Sequence, residues 1–281
     1  MRKFGWTDAA VPTIGQGTWN IEGSTDQERR AMETLRAGLD LGMTHIDTAE
    51  MYGNGRAEEL VGKAIAGRRD NVFLASKVLP QNASYEGTIA ACERSLRRLG
   101  TSWLDLYLLH WPGKHPIGET MRAMERLTAS GKIHYIGVSN FDVAELRDAE
   151  RALTSGRIAC NQVLYHLGER GIERRLIPYC TERGIAIVAY SPFGQRAFPP
   201  ATSAKGKVLA GIGARHGKTA RQVALRWVTR NEVVVTIPKT SRVERVRENG
   251  GGAGWSLSAE DLEKINRTFP APTRDVPLAM L

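Results

Sequence analysis

The feature that most constrains this chain is a rhythm in which short runs rich in Val, Ile and Leu alternate with longer amphipathic stretches. The strand-like runs begin near Thr13, Thr44, Val72, Leu104, Tyr135, Ala159, Ala186 and Val233. One strand and one helix per roughly 30 residues is the spacing of a βαβ element, so successive strands should be parallel. Eight such units predict an α/β protein, a (β/α)8 TIM barrel, formed by residues 1–281 as a single domain.

Two segments interrupt this rhythm. Between strand seven, at Tyr190, and strand eight, at Val233, the chain has an insertion with three prolines and an additional short helix over 206–216. After the eighth unit, the sequence predicts one more helix from Ser258 to Asn266, followed by an irregular tail. Long loops at the carboxyl end of a barrel usually serve a ligand, so we expect the insertion to lie near a binding site.

The charge and composition limit the classes of partner. A formal net charge of +9 and a pI near 9.7 favour a polyanion, a membrane surface or a phosphorylated small molecule. The Lys and Arg residues are mostly spread over helical faces without a nucleic-acid motif, so no nucleic-acid partner is expected. No apolar segment is long enough to span a bilayer or serve as a leader, which predicts a cytoplasmic protein without a membrane partner. Three separated cysteines without CxxC spacing predict reduced thiols and no metal site.

Four polar residues, Asp47, Tyr52, Lys77 and His110, stand where predicted strands give way to loops. A tyrosine is a poor proton donor at neutral pH because its ordinary pKa is about 10. A neighbouring ammonium lowers that pKa by stabilising the phenolate, and a carboxylate keeps the ammonium charged and in place. A neutral histidine can donate a hydrogen bond to the carbonyl oxygen that the phenol protonates. The four residues therefore predict a catalytic group built around Tyr52.

Each of these residues also has an ordinary explanation, such as a turn-capping aspartate or a lysine at the surface, and only their convergence favours catalysis. Two other enzyme classes fit parts of the pattern. Lys77 at a strand end is compatible with a class I aldolase, although Schiff-base chemistry needs an unprotonated amine and Asp47 would oppose that. His45 and Asp47 lie two residues apart, as in metal-dependent barrel hydrolases, but no second ligand pair accompanies them.

A set of ordered motifs carries a resemblance to a known family. The motifs are Gly15-Gln-Gly-Thr-Trp19, Gly42-Met-Thr-His-Ile-Asp-Thr-Ala-Glu-Met-Tyr-Gly53, Ser76-Lys77, Asp105-Leu-Tyr-Leu-Leu-His-Trp-Pro112, Gly131-Lys-Ile-His-Tyr-Ile-Gly-Val-Ser-Asn-Phe141, Asn161-Gln162, Ala189-Tyr-Ser-Pro192 and Ile237-Pro-Lys239. From about Phe4 to Pro270 the chain resembles the aldo-keto reductases, which are (β/α)8 barrels that use NADP(H). The resemblance implies hydride transfer to a carbonyl carbon, with Tyr52 as general acid and Asp47, Lys77 and His110 as its supporting residues.

The same resemblance implies a set of cofactor-binding residues. Ser139, Asn140 and Gln162 would hydrogen-bond the nicotinamide carboxamide, and Tyr190, next to Ser191, would stack on its ring. The alternative that Gly15-x-Gly17 opens a Rossmann loop fails, because no acidic partner follows at the required distance.

The segment from Lys239 to Asn249 follows the eighth strand and opens a helix, so it combines backbone donors, hydroxyls and cations in a phosphate site. The resemblance assigns Lys239, Thr240, Ser241 and Arg245 to the 2′-phosphate of NADPH, and Glu248 and Asn249 to the adenine. It leaves Arg242 without an assigned role. No acidic residue opens the segment, which favours NADPH over NADH.

The resemblance places Trp19, Met51 and Trp111 beside the substrate. A short loop after Trp111 and a tail of eleven residues after Pro270 predict an open, permissive pocket. The motif forms are most similar to bacterial reductases of methylglyoxal and other small aldehydes or dicarbonyls, and they imply a small carbonyl or alcohol substrate and a monomer. Two alternatives stay open: an NADPH-binding sensor or regulatory barrel with slow turnover, and an alcohol-oxidising enzyme for a bulky natural product or toxin.

Overall fold

The structure is a computed structural model that describes residues 1–281, and it begins with a small antiparallel hairpin of β1 (Arg2–Lys3) and β2 (Ala10–Val11). Phe4, which follows β1, is fully buried, and its ring centroid lies 4.9 Å from that of Phe73 at the beginning of a barrel strand. The hairpin therefore closes the end of the barrel opposite to the carboxyl ends of the strands. The sequence does not predict it, because strands of two residues carry no detectable alternation.

Eight parallel strands form the barrel sheet, which confirms the predicted fold. They are β3 (Gln16–Gly17), β4 (His45–Asp47), β5 (Phe73–Val78), β6 (Leu104–Leu109), β7 (Ile133–Ser139), β8 (Ile158–Leu164), β9 (Ala186–Tyr190) and β10 (Val234–Thr236). The first and last strands meet through parallel bridges that join Ile14 to Thr236 and Gly17 to Lys239. These bridges close the sheet into a cylinder, and we call this junction the seam.

The helices follow the strands as predicted. They are α1 (Thr25–Asp40), α2 (Arg56–Ile65), α3 (Tyr85–Leu99), α4 (Ile117–Ala129), α5 (Val143–Ala152), α6 (Leu176–Arg183), α7 (Ala204–Arg215), α8 (Ala220–Val228), α9 (Val243–Gly250) and α10 (Ala259–Thr268). The residue types Thr25 and Asp26 predict that the cap of the first helix lies there, but the observed cap lies one residue earlier. Ser24 has extended backbone angles, and its hydroxyl accepts a hydrogen bond from the Gln27 N–H, whereas Thr25 and Asp26 are already helical.

Both predicted interruptions of the rhythm are present. The chain between β9 and β10 contains a loop over 191–203, the additional helix α7, and then α8. Helix α10 begins after Ser258, whose hydroxyl accepts a hydrogen bond from the Asp261 N–H at 3.1 Å. The remaining residues, 269–281, have no regular secondary structure.

Alternation along each strand explains why the polar side chains gather at one end of the barrel. On β5, Phe73, Ala75 and Lys77 share the inner face, and on β6 Leu108 precedes His110 on that face. The apolar members fill the interior, and the polar member is the last in each row. The resulting rim of polar side chains consists of Asp47, Lys77, His110, Ser139, Gln162 and Tyr190.

The paired glycines of the first barrel strand permit close backbone contacts. A Cβ at Gly15 would lie 2.6 Å from the carbonyl oxygen of His45, and a Cβ at Gly17 would lie 2.7 Å from that of Ile237. Neither position has room for a side chain. Barrel closure therefore accounts for the Gly15-x-Gly17 pattern without a dinucleotide loop.

All three cysteines are free and buried, as the sequence predicts. Burial raises the pKa of the Cys92, Cys160 and Cys180 thiols, so they stay protonated at neutral pH. None of the helices combines the length and the apolar character that crossing a membrane requires.

Candidate active site

Lys77 and Asp47 form a buried ion pair at the carboxyl end of the barrel. The register of β4 and β5 pairs Asp47 with Ala75, which places the Asp47 and Lys77 side chains on the same inner face. Lys77 Nζ donates to Asp47 Oδ1 at 2.6 Å and to the Thr48 carbonyl oxygen at 2.8 Å. The exposed fractions of the two charged side chains are only 0% and 2%, so each depends on the other for charge compensation.

The protonation of Lys77 distinguishes two kinds of chemistry. Burial alone would lower the pKa of Lys77, but attraction to Asp47 and Tyr52 outweighs it and holds the pKa above its ordinary value. The amine therefore stays protonated at neutral pH. Schiff-base formation needs the unprotonated amine, so the aldolase alternative is disfavoured.

Tyr52 reaches this pair from the short 3-10 turn over Tyr52–Gly55 that follows β4. Its hydroxyl oxygen lies 3.4 Å from Lys77 Nζ, which also lies 5.0 Å from the centre of the phenol ring. Burial raises the pKa of Tyr52, and the opposing attraction to Lys77 does not overcome it. The lowering effect expected of Lys77 is present, but burial outweighs it, so the net pKa of Tyr52 stays above its ordinary value. The phenol is protonated at neutral pH and has a proton to donate.

His110 stands beside the phenol. Its ring centroid lies 5.8 Å from that of Tyr52, in an edge-on arrangement, and 4.7 Å from that of Trp111. Burial, with repulsion from Lys77, lowers the pKa of His110 to about 2. The imidazole is therefore uncharged at neutral pH, as predicted for a residue that donates a hydrogen bond to the substrate oxygen without giving up a proton.

Glu50 braces the loop that carries Tyr52, and it was not among the predicted site residues. Its side chain is 6% exposed, and Oε1 accepts hydrogen bonds from the Leu79 N–H at 2.8 Å and from Asn82 Nδ2 at 2.9 Å. Arg94 lies 3.6 Å from the other carboxylate oxygen. Glu50 thus ties the loop after β4 to the loop after β5. Its only sequence signal is its place between Asp47 and Tyr52.

His45 does not take part in this group. Its side chain is fully buried, and its ring lies edge-on to the rings of Phe4 and Phe73 near the closed end of the barrel. Neither ring nitrogen has a hydrogen-bond partner. Burial lowers the pKa of His45 to about 4, so the ring is neutral. No group of three or more His, Cys, Asp or Glu side chains is arranged to hold a metal ion.

The residues predicted to contact the nicotinamide form one connected network. Tyr190 Oη donates to Asn140 Oδ1 at 2.9 Å, and Asn140 Nδ2 donates to the His110 carbonyl oxygen at 3.1 Å. Ser139 Oγ donates to the Gln162 carbonyl oxygen at 2.9 Å. These side chains are held by one another and by the ends of the strands, so the wall that they form is already ordered before a ligand binds.

Gln162 connects this wall to the ion pair. Its Nε2 donates to Asp47 Oδ2 at 2.7 Å, while Lys77 occupies the other oxygen of the same carboxylate. The side-chain amide nitrogen of Gln162 is therefore engaged by Asp47. Its Oε1 atom remains to accept a hydrogen bond from a ligand amide.

Two residues of this wall have left-handed backbone conformations. Asn140 has φ of 61° and Ser191 has φ of 50°, and each comes directly after a barrel strand. Such angles are uncommon for residues other than glycine and often mark binding sites. Here they turn the chain sharply at the rim, where both residues line a pocket that also contains Tyr52 and His110, which we call the first pocket.

A second cavity adjoins the first, and we call it the phosphate cavity. It is open to solvent, measures about 690 Å³ with its mouth included, and is lined by Phe193, Arg221, Lys239, Thr240, Ser241, Arg242, Arg245 and Asn249. Partial burial lowers the pKa of Lys239, which also lines the first pocket and so connects the two. The predicted phosphate residues therefore lie together, next to the predicted nicotinamide wall.

Arg245 and Glu248 contact each other in this structure. Arg245 Nη1 donates to Glu248 Oε2, and Glu248 Oε1 accepts a hydrogen bond from Thr219 Oγ1 at 2.8 Å. Asn249 is buried at the same helix face. The predicted phosphate ligand and the predicted adenine ligand are thus mutual partners, and Arg245 would exchange or share this contact when an anion binds.

The first pocket measures about 840 Å³ with its open mouth included, and it is lined by the predicted substrate residues Trp19, Met51 and Trp111 together with Tyr52 and His110. Trp19 is 46% exposed and Met51 is 37% exposed, so both present apolar surface to the opening. Such a wall suits a compact or flat apolar group above the phenol.

The C-terminal tail also reaches this pocket, contrary to the expectation that a short tail leaves it uncovered. Asp275 lies 2.9 Å from Arg174 Nε and 3.7 Å from Arg175 Nη1, which ties the tail to the loop before α6. From there the chain continues to Leu281, which lines the pocket. Burial raises the pKa of Tyr190 to about 12, and the nearby backbone of Leu281 acts against that rise. The pocket is therefore partly covered.

Comparison with known proteins identifies the family behind this geometry. Residues 13–268 match the aldo/keto reductase family. The chain belongs to the aldo/keto reductase family. It is accordingly an enzyme of the oxidoreductase class, and the predicted resemblance is confirmed.

Individual relatives match over nearly the whole chain. The protein is 43% identical to the methylglyoxal reductase YeaE of Escherichia coli (strain K12) over 274 residues, which cover 98% of this chain and 96% of that protein. It is 39% identical to the glyoxal reductase of Bacillus subtilis (strain 168), with 91% and 88% covered. The crystal structure of an aldo/keto reductase from Klebsiella pneumoniae in complex with NADP and acetate superposes with a TM-score of 0.93 at 44% identity, covering 100% of this chain and 99% of that one.

Proposed function

We propose that this enzyme reduces aldehydes, ketones or dicarbonyls such as methylglyoxal to alcohols with NADPH, and runs in reverse with NADP⁺. The cofactor is NADP(H), which is bound in similar structures of the family. Two of its relatives are named methylglyoxal reductase and glyoxal reductase, which supports small dicarbonyls as the substrate class. No acidic residue opens the phosphate segment, which supports NADPH over NADH.

The observation that carries this proposal is the position of the Tyr52 hydroxyl. It lies 3.4 Å from the Nζ atom of a lysine that is fully buried and paired with Asp47, in the same pocket as His110. A protonated phenol beside a fixed ammonium is suited to giving up a proton to an oxygen that becomes negative.

In the proposed mechanism the bound cofactor would supply a hydride, and the side chains of the protein supply the proton and stabilise the charge. Tyr52 donates its proton to the carbonyl oxygen of the substrate. Lys77, held by Asp47, stabilises the phenolate that Tyr52 becomes, so the raised pKa of the resting phenol does not prevent the transfer. His110, neutral because its pKa is about 2, donates a hydrogen bond that positions the same carbonyl oxygen.

The cofactor residues have separate proposed roles. Ser139, Asn140 and Gln162 hold the nicotinamide carboxamide, and Tyr190 stacks on the ring next to Ser191. The remaining cofactor residues form the phosphate cavity, with Lys239, Thr240, Ser241 and Arg245 for the 2′-phosphate and Glu248 and Asn249 for the adenine. The fit is supported by the free Oε1 of Gln162 and by the concentration of cations around that cavity.

The proposal extends to the setting of the enzyme. Trp19, Met51 and Trp111 form the substrate wall, which is supported by their common pocket above Tyr52. We propose a cytoplasmic monomer, folded as a single domain over residues 1–281, that acts on small molecules and has no nucleic-acid partner.

The test is NADPH consumption, followed by absorbance, with a panel of methylglyoxal, aromatic aldehydes, dicarbonyls and ketones. We expect Tyr52→Phe to lower kcat by at least about 100-fold, because the acid is removed, while NADPH binding is unchanged. Tyr85→Phe is the matched control, since Tyr85 begins α3 away from the pocket. If Tyr52→Phe kept the rate of the wild type, the proposed acid would be refuted. Tight NADPH binding with negligible consumption of every carbonyl would favour a sensor.

A further inference from the structure

Arg221 is a cation that neither the predicted site nor the proposed mechanism uses. It lies in the first turn of α8, and its guanidinium carbon is 4.7 Å from the ring centroid of Phe193 and 4.7 Å from that of Phe198. The two rings are 5.6 Å apart and nearly perpendicular. Both phenylalanines belong to the 191–203 loop. One arginine therefore joins α8 to the loop that follows β9.

Arg221 also faces the phosphate cavity. It lines that cavity with Lys239, Arg242 and Arg245, and the only carboxylate paired with any of these cations is Glu248, on Arg245. Four cations thus converge on one opening with a single counter-charge among them. Like charges that are gathered in this way repel one another, and a bound polyanion relieves the repulsion. The cavity therefore has more positive charge than the assigned residues alone supply.

The position of Arg221 is fixed by its neighbours in the chain. Thr219 Oγ1 donates to Glu248 Oε1 at 2.8 Å, and Gln222 Nε2 donates to the Glu248 carbonyl oxygen at 2.9 Å. These two contacts hold the first turn of α8 against α9, the helix that carries Arg245 and Glu248. Arg221, which lies between Thr219 and Gln222 in the chain, is therefore kept at the edge of the cavity and does not have to be reordered when a ligand binds.

We propose that Arg221 binds the 2′-phosphate of NADPH and, through Phe193 and Phe198, holds the 191–203 loop over the cofactor. A guanidinium can do both, because its faces stack on aromatic rings while its N–H edge donates two parallel hydrogen bonds to a phosphate. The aromatic rings also exclude water from the cation, which strengthens its attraction to an anion. This inference rests on the proposed NADPH-dependent function and adds a residue that couples specificity to loop position.

Equilibrium binding tests the phosphate contact. Dissociation constants for NADPH, NADH and adenosine 2′,5′-bisphosphate are measured by fluorescence for the wild type, Arg221→Ala and Arg221→Met. We expect both variants to bind NADPH and the bisphosphate about tenfold more weakly and NADH almost unchanged. Arg221→Met preserves the apolar stem and guards against a packing defect. Arg147→Ala is the control, because Arg147 also stacks on an aromatic ring, 5.3 Å from that of Tyr179, but lies outside both cavities.

Limited proteolysis tests the loop contact without an activity measurement. Arg196 is exposed between the two phenylalanines, so trypsin cleavage after it, identified by mass spectrometry, reports on the loop. We expect NADPH to protect this bond in the wild type and in Arg147→Ala, and to protect it several-fold less in Arg221→Met at a saturating NADPH concentration.

The outcomes separate this inference from the proposed function. If the wild type bound no NADPH, the proposed function would fail. If the wild type bound NADPH and both Arg221 variants bound it equally well, only the inference would be overturned. Equal weakening of NADPH and NADH would overturn the assignment to the 2′-phosphate, and unchanged protection of the Arg196 bond would overturn the loop contact.

Discussion

Replacing Lys77 by methionine is expected to destabilise the fold as well as to abolish catalysis, because the substitution leaves the Asp47 carboxylate buried without its cation. Lys77 is 0% exposed and Asp47 is 2% exposed, so water cannot replace the lost ammonium. Methionine has nearly the length of the lysine stem, so little cavity is created. The effect therefore measures the uncompensated charge and not a loss of packing.

The magnitude follows from the contacts of the carboxylate. Breaking a buried ion pair by removing one partner costs about 3–5 kcal/mol. The hydrogen bond from Gln162 at 2.7 Å survives and satisfies one Asp47 oxygen, so we expect the lower end, about 3 kcal/mol. For a chain of this length that corresponds to about 6 °C in Tm. The double variant Asp47→Asn/Lys77→Met removes both charges of the pair, and we expect it to recover about 2 kcal/mol while it remains inactive.

The assay is urea unfolding at neutral pH without cofactor, followed by tryptophan fluorescence, because a bound ligand would mask the difference. Tyr52→Phe serves as the control and should unfold within about 1 kcal/mol of the wild type, since it removes only a hydroxyl at the pocket. The reasoning is refuted if Lys77→Met is as stable as the wild type, or if the double variant is no more stable than Lys77→Met alone.

Two further predictions concern residues that brace loops. Glu50→Gln should lower kcat about tenfold with little change in the dissociation constant of NADPH, because a neutral amide oxygen accepts a weaker hydrogen bond from the Leu79 N–H and the loop that carries Tyr52 becomes less rigid. An unchanged kcat would count against this role. Although burial acts to raise it, hydrogen bonds from the backbone of residues 154–156 lower the pKa of Glu125 to about 2. The stabilisation is therefore present above the unfolded pKa of about 4.3 and disappears as the pH falls towards 2. Glu125→Gln should be about 1 kcal/mol less stable than the wild type at pH 7, a value reduced for partial exposure, and the gap in urea midpoints should close in that acidic range.

The strand and helix rhythm was sufficient to predict the barrel, because each unit repeats the same two periodicities and closure leaves few alternatives. The N-terminal hairpin was missed because its strands have two residues each and depend on contacts with the barrel, such as that between Phe4 and Phe73. The cap of α1 was displaced by one residue because Ser24, Thr25 and Asp26 are all good caps, and only the backbone angles separate them.

At the candidate site, the residue types and their strand positions could be read from the sequence, but the balance of opposing effects could not. The pKa of Tyr52 depends on burial as much as on Lys77, and burial is a property of the folded chain. The contact between Arg245 and Glu248, the tail that ends at Leu281 and the stacking of Arg221 all join segments whose proximity no local pattern reveals. Tertiary contacts decide these features.

The seam of the barrel has a consequence for how the cofactor and the fold stabilise each other. Only a few hydrogen bonds cross it, among them Gly15 N–H to the Thr236 carbonyl oxygen at 2.7 Å and Gly17 N–H to the Pro238 carbonyl oxygen at 3.3 Å. Because so few hydrogen bonds join the two strands at the seam, the barrel should open locally there most easily. The backbone amide hydrogens of the seam should therefore exchange with solvent sooner than those of β5 to β8. A ligand that bridges Trp19 on one side and Lys239 on the other favours the closed cylinder by mass action. Ligand binding and local opening of the seam are then thermodynamically coupled, so tighter binding of that ligand also raises the local stability of the barrel.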